Sequence, residues 1–351
     1  MRFDIEKSLT LQGNEASHPP FSHDVVREGD AKALLTKDFE RPFDLLHEAP
    51  IRLRILEVKP EKFIFGIVAH HLAIDGWSLA RMLEKVCDIY NAKLKNEPVP
   101  SIPWQPFVGY QKEYIHQQSL PANQESVRYW QKVNFTAKPF LSNYQSLTKG
   151  HRAIYILNKK YYLKVKELAR ANKVTPFLFL LCCFTRSMAK VLKKEEFLLS
   201  VPIASRDWDL AEFVMGNCVN LMPMDLHLDK SGSLSADLEK IKSQYLDSIG
   251  NSLVPIQTIE AEKRLDLTQI HFNFEPSAEE PKLFGAEIEF YPFPISHVEK
   301  PIIVNVNDTK KTYYIELDYQ FQALDLIKAL TIFTEAERVI NQFSALHNPS
   351  P

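Results

Sequence analysis

Ile51, Leu53 and Ile55 alternate with Arg52 and Arg54, the period of two that marks a half-buried strand. Pro60-Glu61-Lys62 then turns the chain into a mostly apolar run from Phe63 to Ala69, so the pattern predicts a hairpin whose second strand is central in its sheet. Beyond Gly76, Leu79, Met82, Leu83, Val86, Ile89 and Tyr90 recur at helical spacing, with Ser78 placed to cap the first turn. A strand therefore runs through a polar loop into a helix. Residues 126–145, with Tyr129-Trp130 followed by Lys138-Pro139, read as the end of a helix and a crossover. That puts a domain boundary near residue 145 and gives subdomains 1–145 and 146–351.

The second part repeats mixed α/β logic. A strand is expected at 153–157, helices at 162–171 and 176–191, and a strand at 197–203. Further strands are expected at 218–228, 269–274 and 286–291, with a hairpin of 302–306 and 312–319. Leu234, Leu238, Ile241, Tyr245 and Ile249 mark a helix among them, and a last helix starts from Asp325 as cap, with Leu326, Leu330, Phe333, Ile340 and Phe343 on one face. The fold class is α/β, as two α/β sandwiches of comparable size.

Composition narrows the function. The 351 residues are 45% apolar and 25% charged, an ordinary globular balance rather than a disordered one. Lys and Arg number 42 against 44 Asp and Glu, a net charge of -2, which leaves no positive field for a nucleic-acid partner. The longest apolar run, about 176–184, falls short of the ~20 residues of a bilayer span. Residues 1–6 lack a basic-then-apolar leader, so the expected location is cytoplasmic and no membrane partner is expected. Cys87, Cys182, Cys183 and Cys218 form no C-x-x-C pair and read as reduced, buried small hydrophobes. Among the ten glycines the closest two are Gly66 and Gly76. That spacing excludes the glycine-rich signatures of dinucleotide enzymes, P-loop NTPases and serine nucleophile elbows.

One stretch carries chemistry: Ala69-His70-His71-Leu72-Ala73-Ile74-Asp75-Gly76-Trp77-Ser78. Two histidines at the end of an apolar strand, with a carboxylate four residues after the second, place a titratable group at an edge where a cavity can open. Neighbouring strand residues point to opposite faces, so one ring is expected to face a cavity while the other is packed. The same geometry argues against a metal centre. On residue types alone, two structural histidines beside a turn is an equal reading.

This string resembles the H-H-x-x-x-D-G signature of condensation domains of nonribosomal peptide synthetases, members of the chloramphenicol-acetyltransferase-like superfamily. The flanks resemble the family too. Upstream are Arg41-Pro42-Phe43-Asp44-Leu45 and Ala49-Pro50-Ile51-Arg52; downstream are the segment 107–114 and Tyr129-Trp130. Val174-Thr175-Pro176-Phe177, residues 201–206, residues 214–221 and Phe272-Asn273-Phe274-Glu275 continue the match in order. The resemblance covers about Arg41 to the C-terminus. It departs from the family around Val254-Pro255-Ile256, and ahead of Phe43, where the family's longer N-terminal segment is at most a remnant, so the first subdomain is expected to be short.

The resemblance implies two chloramphenicol-acetyltransferase-like subdomains with a tunnel between them, and an acyltransferase that joins a phosphopantetheine thioester to an amine. No bound cofactor is implied. The phosphopantetheine arm comes from acyl or peptidyl carrier proteins acting in trans, or CoA replaces it. An imidazole suits the loss of an ammonium proton as the oxyanion forms, and by resemblance that imidazole is His71, as base or as the group that orients the amine. Asp75 is read as a second catalytic carboxylate or as an anchor; family precedent favours an anchor paired with an arginine, here Arg206. Gly76 lets the backbone turn sharply or approach a ligand, His70 is secondary, and Asn220 is read either as a tunnel residue bonding a substrate amide or as a turn former. Gly250-Asn251-Ser252-Leu253 superficially resembles a carrier-protein attachment site but falls inside the matched region. Two further readings stay open: a soluble acyl-CoA acyltransferase of the same fold, and a noncatalytic recruitment module.

Overall fold

The computed structural model describes residues 2–4, 10–12, 20–206, 211–229, 232–276, 282–289 and 295–347. The chain forms two compact units: Met1–Ile115 with Arg206–Cys218 and Pro281–Ala286, and His116–Ser205 with Val219–Glu280 and Glu287–Pro351. Its mixed α/β class is the one expected.

In the first unit, β1 (Arg2–Asp4) and β2 (Thr10–Gln12) form an antiparallel pair. β3 (Phe21–Val25), α1 (Glu28–Glu40), β4 (Ile51–Lys59) and β5 (Lys62–Ala69) follow. The three strands pair in the order β3-β4-β5. β3 runs parallel to β4, a pairing that needs a crossover, and α1 supplies it. β4 and β5 make the expected hairpin, Ile51 opposite Ala69 and Glu57 opposite Phe63. The central strand is β4, not β5. Phe63 and Phe65 are 56% and 42% exposed, so the apolar run reflects one weakly covered face rather than burial on both. On the other face, Ala31 of α1 is buried with Leu56 and Val58, with Leu35 and Ile64 packed against them. A β-carbon at Gly66 would come within 2.6 Å of the Leu35 side chain, so helix and strand meet closely there.

α2 (Gly76–Leu94) begins at Asp75, whose carboxylate accepts from the Ser78 backbone N–H at 2.8 Å. The cap is thus Asp75, an ordinary preference at that position, and Ser78 is its donor rather than the cap. α3 (Phe107–Ser119) and a short 3-10 turn, Ala211–Phe213, lie further along the chain.

The second unit contains α4 (Pro121–Lys132), β6 (Thr148–Leu157), α5 (Lys159–Ala171), α6 (Pro176–Leu192), β7 (Glu196–Ala204) and β8 (Val219–His227). α7 (Leu234–Ile249), α8 (Ile256–Lys263), β9 (Ile270–Glu275), β10 (His297–Val298), β11 (Ile302–Asp308), β12 (Tyr313–Gln320) and α9 (Leu326–His347) complete it. Among the described residues its sheet has seven strands in the order β10-β6-β12-β11-β9-β7-β8, against the three-stranded sheet and the separate β1–β2 pair of the first unit, so the two main sheets are not of comparable size. β9 is parallel to both β7 and β11, while β11 and β12 form the expected hairpin, Ile302 opposite Tyr319. No strand forms over 286–289: Ala286 makes an isolated bridge to Leu283, and Phe290 and Tyr291 lie outside the described residues.

The core of this unit forms around α6, whose Thr175 cap and Pro176 start it and whose residues 178–185 are all buried. A helix that is apolar on nearly all sides needs cover all round. Cys182 and Cys183 sit fully enclosed in it, and burial pushes both thiols up. All four cysteines are free and buried. Among the described residues no single helix is long and apolar enough to cross a membrane.

Candidate functional site

β5 ends at Ala69, and the two histidines belong to the turn beyond it. Strand alternation therefore does not set their directions. The His70 backbone N–H donates to Pro50 O at 2.8 Å, the Ala73 N–H returns to His70 O at 2.9 Å, and the Leu72 N–H donates to His70 Nδ1 at 3.2 Å. His70 is half-buried, edge-on to Phe43, with the ring centroids 6.0 Å apart. Phe43 in turn lies under the Arg52 guanidinium, 3.7 Å from its carbon.

Arg52 is only 7% exposed. It donates to the carbonyls of Asp38, Arg41 and Pro42 and to Glu48 Oε1 at 2.7 Å. The slight burial of Glu48 raises its carboxyl, but bonds from Arg52, the Asp44 N–H and Arg41 outweigh that and lower it to about 2. The segments around Phe43 and Arg52 thus form a hydrogen-bonded floor beneath His70. His71 is exposed, and among the described residues no hydrogen bond or ion pair holds its ring.

The far end of the turn is locked. Asp75 is 1% exposed. Its Oδ1 accepts from the Ser78 N–H at 2.8 Å and from Arg206 Nη2 at 3.2 Å, and its Oδ2 from Arg206 Nη2 at 2.9 Å and the Cys218 N–H at 3.0 Å. Burial alone raises this carboxyl; the bonds from Cys218 and Ser78 and the charge of Arg206 outweigh it, holding the group below the usual carboxylate range. A carboxylate that is enclosed, ionised and fully engaged holds the chain in place and has no lone pair left for proton exchange.

Arg206 also donates to Ala211 O at 2.7 Å, Val214 O at 2.9 Å and Ser78 Oγ at 2.9 Å. The Ser78 hydroxyl donates to Gly216 O and accepts from the Gly216 N–H. A β-carbon at Gly216 would run into the Phe107 ring, so glycine is what lets this strap pass. Phe107 heads a stack with Tyr110 and Tyr114. Gly76 is the exposed first residue of α2, and the next residue, Trp77, sits under the Arg81 guanidinium at 4.8 Å.

Asn220 belongs to the second unit, as the second residue of β8 rather than a strand end. Its Nδ2 donates to Ser252 O and Val254 O, both at 2.8 Å, while its Oδ1 accepts from the Leu221 and Ile256 N–H groups. All of its hydrogen-bonding capacity goes to the backbone, most of it to 252–256. Trp130 Nε1 and Gln118 Nε2 hold the same loop through Asn251 O and Leu253 O.

The sequence brings out Asp75 and Arg206, which do meet. It misses Ser78, Gly216 and the Cys218 N–H as their co-ligands, and the Arg52–Glu48 floor. Gly216 and Arg52 stand inside the family-like segments without a role of their own, and a backbone N–H leaves no mark in sequence. Among the described residues no group of three or more His, Cys, Asp or Glu side chains is placed to hold a metal ion.

Known proteins resemble this chain in sequence and in fold. The family model described as "Condensation domain" matches residues 8–350. A linear gramicidin synthase of Brevibacillus parabrevis is 21% identical over 254 residues, which is 69% of this chain and 5% of that protein. The chain thus spans a small part of such relatives. Among solved structures, the first condensation domain of the calcium-dependent antibiotic synthetase, in complex with a substrate analogue, superposes with a TM-score of 0.77 at 14% identity, covering 95% of this chain and 79% of that one. The starter condensation domain of rhizomide synthetase, a mutant in complex with C8-CoA and Leu-SNAC, gives 0.76 at 13% identity over 93% and 78%.

Proposed function

The chain belongs to the condensation-domain family, and from that premise we propose that it is an acyltransferase forming an amide, or an ester, between a phosphopantetheine-thioester acyl donor and an amine acceptor. The observation that carries the reading is His71: exposed, its ring without a hydrogen bond or ion pair among the described residues, on a turn tied down at one end by Pro50 and Phe43 and at the other by the buried Asp75–Arg206 pair. A ring held in this way on a tethered turn is available to a substrate.

The acceptor nitrogen attacks the thioester carbonyl, a C–N bond forms, the C–S bond breaks, and the thiol leaves with the proton the nitrogen gives up. An α-amine with a pKa of about 7.7–8.0 is already roughly a tenth neutral at pH 7, so placement contributes more than basicity. His71 takes the ammonium proton or orients the amine. Asp75, Arg206 and Ser78 act at one remove, by fixing the turn. Carrier proteins in trans are the donors' source; the CoA ligand of the rhizomide synthetase domain makes a soluble thioester the comparison to run.

The test incubates the protein with acyl-loaded carrier, or acyl-CoA, and candidate amines, and follows product by mass beside His71→Ala. Turnover lost in the variant is expected. Equal turnover in both overturns the role of His71, and zero turnover in both across substrates overturns the enzymatic reading. Product from CoA alone replaces the carrier by a soluble donor.

A further inference from the structure

The three-stranded sheet of the first unit carries an apolar face on the side away from α1. Leu56 and Ile64, at even-numbered positions, pack toward that helix. The odd-numbered positions point the other way, by alternation, and form three cross-strand rows, each with one residue from β3, β4 and β5. Seven of the nine positions in these rows are apolar, with Ile55 at the centre; the exceptions are His23 and Glu57.

This face is open. Phe21 is 59% exposed, Val25 77%, Phe63 56% and Phe65 42%, whereas Leu56 on the covered face is fully enclosed. Apolar side chains scattered singly over a surface are ordinary, but a contiguous patch of them marks a contact surface. A sheet buries each apolar face against another layer, and here one layer is wanting. From the exposures, and roughly 150–250 Å² for a whole aromatic side chain, the face offers about 500 Å².

The occupant that fits is the same face of a second copy. A two-fold contact sets a patch against itself, so the patch must complement its own charge. His23 and Glu57, the two polar residues of the rows, stand 3.6 Å apart and are of opposite kind. Turned against a copy of itself, the pair offers each residue a counterpart of the other sign. Two such faces stacked about 10 Å apart, as sheets pack, bury about 1,000 Å² in total. That is the lower limit of a specific interface, so the association is weak.

We propose that two copies of this chain associate through this face, stacking their three-stranded sheets with Phe21, Phe63 and Phe65 buried between them and His23 beside the partner's Glu57, with a dissociation constant in the micromolar range. The association goes beyond the acyl-transfer reading and does not depend on it.

The test is sedimentation equilibrium of the whole chain from about 1 to about 100 µM, which brackets a micromolar constant. The average mass is expected to rise with concentration from that of one chain toward that of two. Phe63→Glu with Phe65→Glu is expected to weaken association by more than about tenfold, as unpaired buried charge does. Ile327→Glu, at an exposed residue of α9, is expected to leave it unchanged. Glu57→Lys is expected to weaken it, and His23→Glu added to Glu57→Lys to restore it. Unfolding midpoints establish that the variants fold, and Phe63→Ser replaces the double phenylalanine variant if it does not. A mass fixed at one chain across the range, association that survives in the folded phenylalanine variant, or association lost in Ile327→Glu overturns the proposal. A chain that stays monomeric yet cosediments with phosphatidylcholine vesicles assigns the face to a lipid surface and overturns the second copy as its occupant.

Discussion

Phe43 stands edge-on to His70, 6.0 Å between ring centroids, while its face is covered by the Arg52 guanidinium at 3.7 Å. One aromatic ring thus couples the first histidine of the turn to an arginine that ties together three carbonyls and Glu48.

Arg52→Ala is expected to cost about 3–5 kcal/mol, because it leaves Glu48 and those carbonyls without their buried partner. Arg52→Lys recovers little of this, since an ammonium cannot serve several carbonyls and stack on Phe43 at once. Urea midpoints of the two variants check it: a fully stable Lys variant contradicts the account.

The Asp75–Arg206 pair gives a second measurement. Asp75→Asn or Arg206→Ala is expected to destabilise by about 3–5 kcal/mol, as breaking a buried pair does. The folded carboxyl of Asp75 is depressed, so its contribution is complete above the unfolded value of about 3.9 and fades as pH falls below that. Unfolding midpoints taken from pH 7 down to pH 3 should drop more steeply for wild type than for Asp75→Asn.

Gly216→Ala drives a methyl group into the Phe107 ring. Such overpacking is expected to cost about 1–3 kcal/mol. Adding Phe107→Leu should return part of the loss, a favourable coupling that a double-mutant cycle measures. Additive losses would show that the ring is not what the methyl group meets.

Asn220→Asp keeps the shape but sets a carboxylate against the carbonyls of Ser252 and Val254 in place of two N–H donors. It is expected to be as harmful as Asn220→Ala or worse, with a loss of about 2–4 kcal/mol and faster proteolysis at residues 251–256. If protease cleaves the variant there no faster than wild type, Asn220 does not hold the loop.

The sequence makes some of this legible and hides the rest for identifiable reasons. α6 is announced by Thr175-Pro176 and an unbroken apolar stretch, and the β11–β12 hairpin by two alternating runs, so both lie where expected. The pattern gives no sign of α1, which has a single buried residue, Ala31, or of α8, which has only eight residues. It hides the parallel strand β3 as well, because its partner lies beyond a helix. At the site, the family resemblance pairs the motif's carboxylate with an arginine, which makes Arg206 findable. Ser78 looks like a cap because serine often is one, and only the fold shows its hydroxyl turned to Gly216.

The clamp on the motif also fixes when it can form. Asp75 is held by Arg206 and Cys218, more than a hundred positions later in the chain, so on the ribosome the far end of the histidine turn stays unset until the nascent polypeptide has grown past Cys218. Local hairpins come early and distant closures late. A stalled translation product ending short of Arg206 carries both histidines and their tethers to Pro50 and Phe43, but not the arginine that closes the far end of the turn.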